Sequence, residues 1–334
     1  MAIFRVFGAG EWGLAVANDL SLANNLIEVY IRDKNKLEAY KGNASHEGLG
    51  LKFNNNISFH DIDSSNNLEN SLDIINIIAT SSSGFLSVIE DNIDYFKKCN
   101  SLTWITKGLD HTSGLLFHQL IDKNISQKIE KCIISGPSFA KDLVNKKSLE
   151  VSIACTDNNL SSKLISTMTR DYFMLVPTQD IIGIEISSVL KNISAILAGC
   201  LTANQYPDEY IEQLILLSQR EVKRMTKLIT SHDKNYLVSD AEIDKTLASP
   251  GCIGDLRLTC FYNMSRNRQL GLKLTKNSNI KKLISNIGTV EGYLSTATLY
   301  NNKKTYGDGL IVNVANDILY GYKEPKKVLD QLFN

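Results

Sequence analysis

The stretch VFGAGEWGLA, residues 6–15, constrains the fold of this chain more than any other. Gly8, Gly10 and Gly13 make a GxGxxG pattern, which is weak evidence in isolation. Here it follows an apolar run, IFRVFG (3–8), that reads as a strand. It opens EWGLAVANDLSLA (11–23), whose apolar residues recur at helical spacing. In that context each glycine has a task. Gly8 permits a tight turn, Gly10 lets backbone approach a pyrophosphate, and Gly13 lets the helix pack on the strand. The amides at the helix start, around Glu11 and Trp12, then face the anion. Glu11 is the discordant residue, because a carboxylate buried beside a diphosphate would repel it. On the first turn of a helix it instead complements the positive dipole end while its side chain points to solvent.

About twenty residues beyond Gly13 comes IRDKN. Asp33 suits the ribose hydroxyls of NAD, whereas Arg32, with Lys34, suits the 2′-phosphate of NADP. The two signals conflict, and the reading leans to Arg32 and to NADP or dual use. Further β-rich runs follow at 26–32, 72–81, 102–108, 131–137, 149–156 and 172–178, with helical patterns around 84–97 and 112–123. Several runs are nearly continuous in apolar residues, as in sheets covered on both faces. Strands alternating with helices predict a parallel, doubly wound sheet. After about residue 182 the pattern is helical: 182–201, 209–231, 266–275, 278–286, 290–300, 308–320 and 324–333. The fold class expected is therefore an N-terminal α/β Rossmann-like domain, residues 1–180, and an all-α substrate domain, residues 181–334, with the ligand in a cleft between them. The 334 residues suit two domains at about 150 each.

The 36 basic and 36 acidic residues cancel, which argues against a nucleic-acid or anionic-membrane partner. The most apolar stretch, 182–201, carries Glu185 and Lys191, so it reads as a buried helix rather than a membrane span. The N-terminus lacks the long apolar segment of a signal peptide. None of the six cysteines forms a CxxC pair or lies near a histidine at metal spacing, so no metal is assigned. The expectation is six reduced core thiols in a cytoplasmic protein.

The chain next supplies, in order, TKGL (106–109), SGPSFAKDL (135–143), VLKN (189–192), GDL (254–256), LTC (258–260), SRNR (265–268) and VEGY (290–293). With GAGEWG, this ordered set resembles the soluble, bacterial-type NAD(P)-dependent glycerol-3-phosphate dehydrogenases over most of the chain. The resemblance implies reduction of dihydroxyacetone phosphate to sn-glycerol 3-phosphate, a phospholipid precursor, by a homodimer. It implies that Lys191 is the catalytic acid/base and that Lys107 contacts substrate and cofactor and supports the polarised carbonyl. Asp255 keeps Lys191 charged and oriented, and Arg266 and Asn267 hold the phosphate. Arg266 and Glu291 also lie on the cofactor side, Gly136 and Ser138 border the substrate, and Ser265 caps a helix whose amides add to the anion site.

The residues suit that chemistry independently. A ketone accepting hydride needs a proton donor for its oxygen, and a lysine in an apolar stretch gives up a proton readily. Lys107 follows an apolar strand, at the carboxyl end where open α/β sheets place ligands. Arginine offers a planar fork of donors to a phosphate. Without the resemblance, Lys191 reads rather as a snorkelling surface lysine and Lys107 as a loop lysine, and Asp255 reads as a helix cap.

Departures from the family lie at Glu11, where a small residue is usual, at 80–85, which lacks a proline, and at 200–220. There a glycine-rich loop and a helix reading like LITRG are replaced, with Leu216, Leu217 and Ser218 standing for threonine, arginine and glycine, while Glu221 and Arg224 match. Two other readings follow. One is a nucleotide-binding sensor or scaffold with impaired catalysis. The other is a related dehydrogenase of a small hydroxy acid, against which the Arg266–Asn267 pair argues.

Overall fold

The computed structural model describes residues 2–68, 74–263, 265–275 and 278–333. Two compact units form. The first comprises residues 1–110 and 115–181, the second residues 111–114 and 182–334.

One eight-stranded sheet organises the first unit. Its strands are β1 (Ile3–Phe7), β2 (Leu26–Ile31), β3 (Ile57–Asp61), β4 (Ile74–Ile78), β5 (Ser101–Trp104), β6 (Glu130–Ser135), β7 (Leu149–Cys155) and β8 (Phe173–Thr178), in the order β8-β7-β6-β5-β4-β1-β2-β3. From β3 to β6 every pairing is parallel. The central strands have no polar face: all five residues of β4 are buried. Helices α1 (Glu11–Ser21), α2 (Lys34–Asn43), α3 (Ser82–Asp91), α4 (Phe117–Asn124) and α5 (Asn158–Met168) supply connections, with short helical pieces at 93–96 and 140–144. The first two residues of the 72–81 run lie outside the described residues.

The sheet departs from an all-parallel reading at one place, because β7 runs antiparallel to β6. The segment joining them holds only the five-residue helix Ala140–Val144, short of the helical crossover that a parallel return needs. Then α5 carries the chain back, and β8 is parallel to β7. The antiparallel register sets Cys132 opposite Cys155 with Cα atoms 4.1 Å apart, and the two form a disulfide. This corrects the expectation of six reduced thiols; Cys99, Cys200, Cys252 and Cys260 are free and buried.

The second unit is built around α6 (Ile181–Ala203), followed by α7 (Asp208–His232), α8 (Asp240–Leu247), α9 (Asp255–Phe261), α10 (Arg266–Lys273), α11 (Ile280–Ile287), α12 (Glu291–Asn301) and α13 (Leu310–Leu319), with short helices at 303–306 and 325–329. By length and composition α6 could cross a membrane, but its most apolar window is wholly buried within the fold. Burial on all sides explains why it is apolar all round. Two helices approach its backbone directly. A Cβ on Gly199 would lie 2.8 Å from Leu272 N and 2.9 Å from Gly271 Cα, and would strike the Arg268 carbonyl. A Cβ on Gly292 would lie 2.7 Å from Asn192 C. Glycine therefore brings the body of α10 and the start of α12 close to α6.

Candidate active site

In the first unit the strand order reverses between β1 and β4, the place where open α/β sheets bind ligands at their carboxyl ends. Gly8, just beyond β1, has φ +119°, and a Cβ there would lie 2.6 Å from the carbonyl oxygen of Ala79, just beyond β4. Gly10 caps α1 without a side chain, so the first amides of the helix have no local acceptor. A cleft of about 510 Å³ opens there, lined by Gly8, Gly10, Arg32, Lys36, Thr106 and Lys107 among others. Glu11 is exposed at the first turn of α1, and Trp12 packs edge-on against Phe173, with ring centroids 6.3 Å apart.

At the far end of the cleft, Asp33 caps α2, its Oδ1 accepting from the amides of Asn35 and Lys36 at 3.0 and 3.2 Å. Arg32 turns to α3 and donates to Ser87 Oγ at 2.9 Å and Asp91 Oδ2 at 3.0 Å. Lys107 Nζ donates to the Gly136 carbonyl at 2.5 Å, and Ser138 lines the same cleft. A turn closed to any side chain but glycine, bare helix amides and a ribose-side carboxylate fit a dinucleotide. Gly8, Gly10, Glu11, Trp12 and Gly13 would hold its diphosphate end, and Arg32 and Asp33 its adenosine end.

In the second unit Lys191 sits midway along α6, buried, with Nζ 2.6 Å from Asp255 Oδ2. Asp255 is the first residue of α9, after a single π turn at Pro250–Gly254, and Gly254 rather than Asp255 occupies the cap position. The carboxylate is thus placed against the lysine. Asn192, the next residue, accepts a hydrogen bond from Asn267 Nδ2 at 2.9 Å, and Asn267 Oδ1 accepts from the Gly292 amide at 2.9 Å. Asn267 therefore ties α6, α10 and α12 together and keeps one amide hydrogen in reserve. Its neighbour Arg266 is exposed and makes no ion pair or hydrogen bond among the described residues. Ser265 Oγ accepts from the Arg268 amide at 3.4 Å, capping α10. The arrangement combines a buried, carboxylate-held ammonium with an unengaged guanidinium at a helix start, a combination suited to protonating one end of a small anion while gripping the other.

Two family models divide the chain: the NAD-dependent glycerol-3-phosphate dehydrogenase N-terminus matches residues 4–161, and the C-terminus of the same enzyme matches 180–330. The chain belongs to this family. It is an NAD(P)-dependent oxidoreductase by membership, and its cofactor is NAD or NADP. A glycerol-3-phosphate dehydrogenase (NAD(P)+) of Vesicomyosocius okutanii is 29% identical over 86% of this chain and 83% of its own length. That of Francisella tularensis subsp. novicida is 27% identical over 98% and 96%. Among solved structures, glycerol-3-phosphate dehydrogenase from Coxiella burnetii superposes with a TM-score of 0.83 at 23% identity, covering 100% of this chain and 99% of that one. The Plasmodium falciparum enzyme does so with 0.81 at 17%, covering 100% and 95%.

Within the family's fold, several features were not legible beforehand. Asn192 was visible in VLKN, but nothing in its spacing pointed to Asn267. His111 bridges Glu291 Oε2 through Nε2 and Thr298 Oγ1 through Nδ1, each at 3.1 Å. Glu291 is therefore fixed from a segment far away in sequence. Burial pushes the Cys260 thiol, in LTC, up to about 12, so it stays neutral and adds no charge near Lys191. The divergent 200–220 segment is repacked as helix: α6 runs to Ala203 and α7 begins at Asp208. Ser218 is buried and bonds Ser194 Oγ at 2.7 Å, whereas Leu216 is exposed. The retained Glu221 accepts from the Ile311 amide at 3.0 Å, and Arg224 donates to the Tyr306 carbonyl at 3.3 Å. Both serve the packing of α7. Among the described residues no cluster of three or more His, Cys, Asp or Glu is placed to hold a metal.

Proposed function

We propose that the chain reduces dihydroxyacetone phosphate to sn-glycerol 3-phosphate with NADH or NADPH, in the cytoplasm and as a homodimer. The observation that carries the reaction is the buried Lys191–Asp255 pair, followed directly in sequence by the Asn192–Asn267 bond that anchors Arg266. Family membership supports the substrate, the resemblance alone supports the dimer, and the compartment rests on the sequence reading, whose six reduced thiols the Cys132–Cys155 bridge does not bear out.

A bound nicotinamide would supply hydride to the carbonyl carbon of the substrate. Lys191 gives a proton to the carbonyl oxygen as negative charge develops there, and it is recharged from water afterwards. Asp255 holds the ammonium in place before the transfer. Arg266, with the free amide hydrogen of Asn267 and the first amides of α10, binds the phosphate. The resemblance assigns Lys107, Gly136 and Ser138 to the three-carbon body and Glu291, fixed by His111, to the cofactor.

Spectrophotometric oxidation of NADH and NADPH with dihydroxyacetone phosphate tests this, comparing the unaltered chain with Lys191→Ala. Turnover by the former and a loss of at least about a hundredfold in the latter are expected for a general acid. No turnover with either cofactor overturns the substrate, and turnover indifferent to Lys191→Ala overturns the lysine's role.

A further inference from the structure

Arg32 is the residue at the cleft best able to grip a 2′-phosphate, yet it is already engaged. Its Nη2 donates to both Ser87 and Asp91, and the ion pair is open to solvent, with the two side chains 54% and 57% exposed. Ser87 and Asp91 stand four residues apart on α3 and so share a face. Gly84 and Val88 of the same helix line the cleft together with Arg32, Asp33 and Lys36. The guanidinium thus lies along the rim of the adenosine end.

Asp91 is not there for the helix. It is the last residue of α3, where a carboxylate meets the negative end of the dipole. Arg32 offsets that penalty. A second carboxylate, Asp33, is anchored beside it by its cap bonds to α2. An incoming 2′-phosphate would have to take Arg32 from Asp91 and settle near two carboxylates. A 2′-hydroxyl requires neither, and the unused oxygen of Asp33 remains available to accept from it.

We infer that Asp91, seconded by Ser87, is a positioning residue that sets the coenzyme preference of this chain: by competing for Arg32 it biases the adenosine site against the 2′-phosphate and toward NADH. The inference rests on the reading that the adenosine end lies beside Arg32 and Asp33. An exposed pair is weak, so the competition tunes the choice and leaves NADPH usable.

The test measures Kd and kcat/KM for NADH and NADPH in the unaltered protein and in Asp91→Asn, Asp91→Glu, Arg32→Ala and the Arg32→Ala/Asp91→Asn double variant. Asp91→Asn is expected to raise the NADPH-to-NADH ratio by about three- to tenfold, from loss of the competing pair and of one repulsive charge. Asp91→Glu keeps the ratio near its original value, and in the Arg32→Ala background Asp91→Asn raises the ratio by less than it does with Arg32 present. A merely structural Asp91 would shift both coenzymes equally. An unchanged ratio in Asp91→Asn, with NADPH binding still weakened by Arg32→Ala, overturns the inference alone. Indifference of both coenzymes to Arg32→Ala overturns the placement of the adenosine end and the inference with it.

Discussion

Replacing Gly199 by alanine separates the physics of the second unit from its chemistry. The added Cβ would meet Leu272 N at 2.8 Å and Gly271 Cα at 2.9 Å, as well as the Arg268 carbonyl, where ordinary contact begins at 3.4 Å. These are backbone atoms of α10 that cannot rotate aside, so α10 must withdraw from α6. Overpacking of this kind costs about 1–3 kcal/mol. Alanine's better helix propensity returns only about 0.5–1 kcal/mol, so the clash wins over most of that range. Taking a net cost of about 1–2 kcal/mol, from the middle of that range, at about 2–4 °C per kcal/mol for a unit of this size, Tm falls by roughly 2–8 °C. The same withdrawal carries Arg266 and Asn267 away from Lys191. A shift of about 1 Å is enough to cost on the order of a hundredfold in kcat/KM. Thermal unfolding followed by circular dichroism, with the dihydroxyacetone phosphate assay run below the transition, measures both. Gly42→Ala is the control: a Cβ there meets nothing within 4 Å, on the exposed side of α2, so Tm should hold or rise. A Gly199→Ala protein that melts within about 1 °C of the parent and keeps its kcat/KM would refute the argument that α6 and α10 are in backbone contact.

Two further outcomes follow from buried groups. Burial raises the pKa of the Glu221 carboxyl, against the opposing Ile311 amide bond and the Arg224 charge. The folded chain therefore holds that proton more tightly than the unfolded one, and stability is lost as pH rises from the ordinary carboxylate value through the raised one. Glu221→Gln should flatten that slope, and a Tm difference from the parent that is constant across pH 4–8 would contradict it. Denatured without reductant, the protein should present four titratable thiols, Cys99, Cys200, Cys252 and Cys260, and six after reduction. Six at the outset would remove the Cys132–Cys155 bridge.

The parts legible in the sequence are those whose signal is local. The central strands announce themselves because both faces are covered and the runs are continuously apolar, as in IINII at 74–78. The half-buried edge strand β3, ISFHD, has no such run and went unread, as did α2, which buries only Leu37 and Tyr40. The reversal between β6 and β7 is a matter of connection and pairing, and with it went the pairing of Cys132 with Cys155. The Gly8 turn was readable because a motif, a strand and a helix coincide within ten residues. Lys191 and Asp255 are 64 positions apart, and only the resemblance joined them. The Asn192–Asn267–Gly292 knot and the engagement of Arg32 by α3 depend on side-chain directions that no spacing encodes.

The assignment of His111–Gly114 to the second unit bears on how this molecule can be divided. Tyr306, with no exposed surface, donates its hydroxyl to the Gly114 carbonyl at 2.6 Å, and His111 braces Glu291. A gene fragment beginning at residue 182 would drop both supports and strand a phenol in an apolar interior, at about 1–3 kcal/mol. Excision or recombination of the helical half must carry that tetrapeptide along, which makes it a borrowed piece of a neighbour's sequence rather than a self-sufficient module.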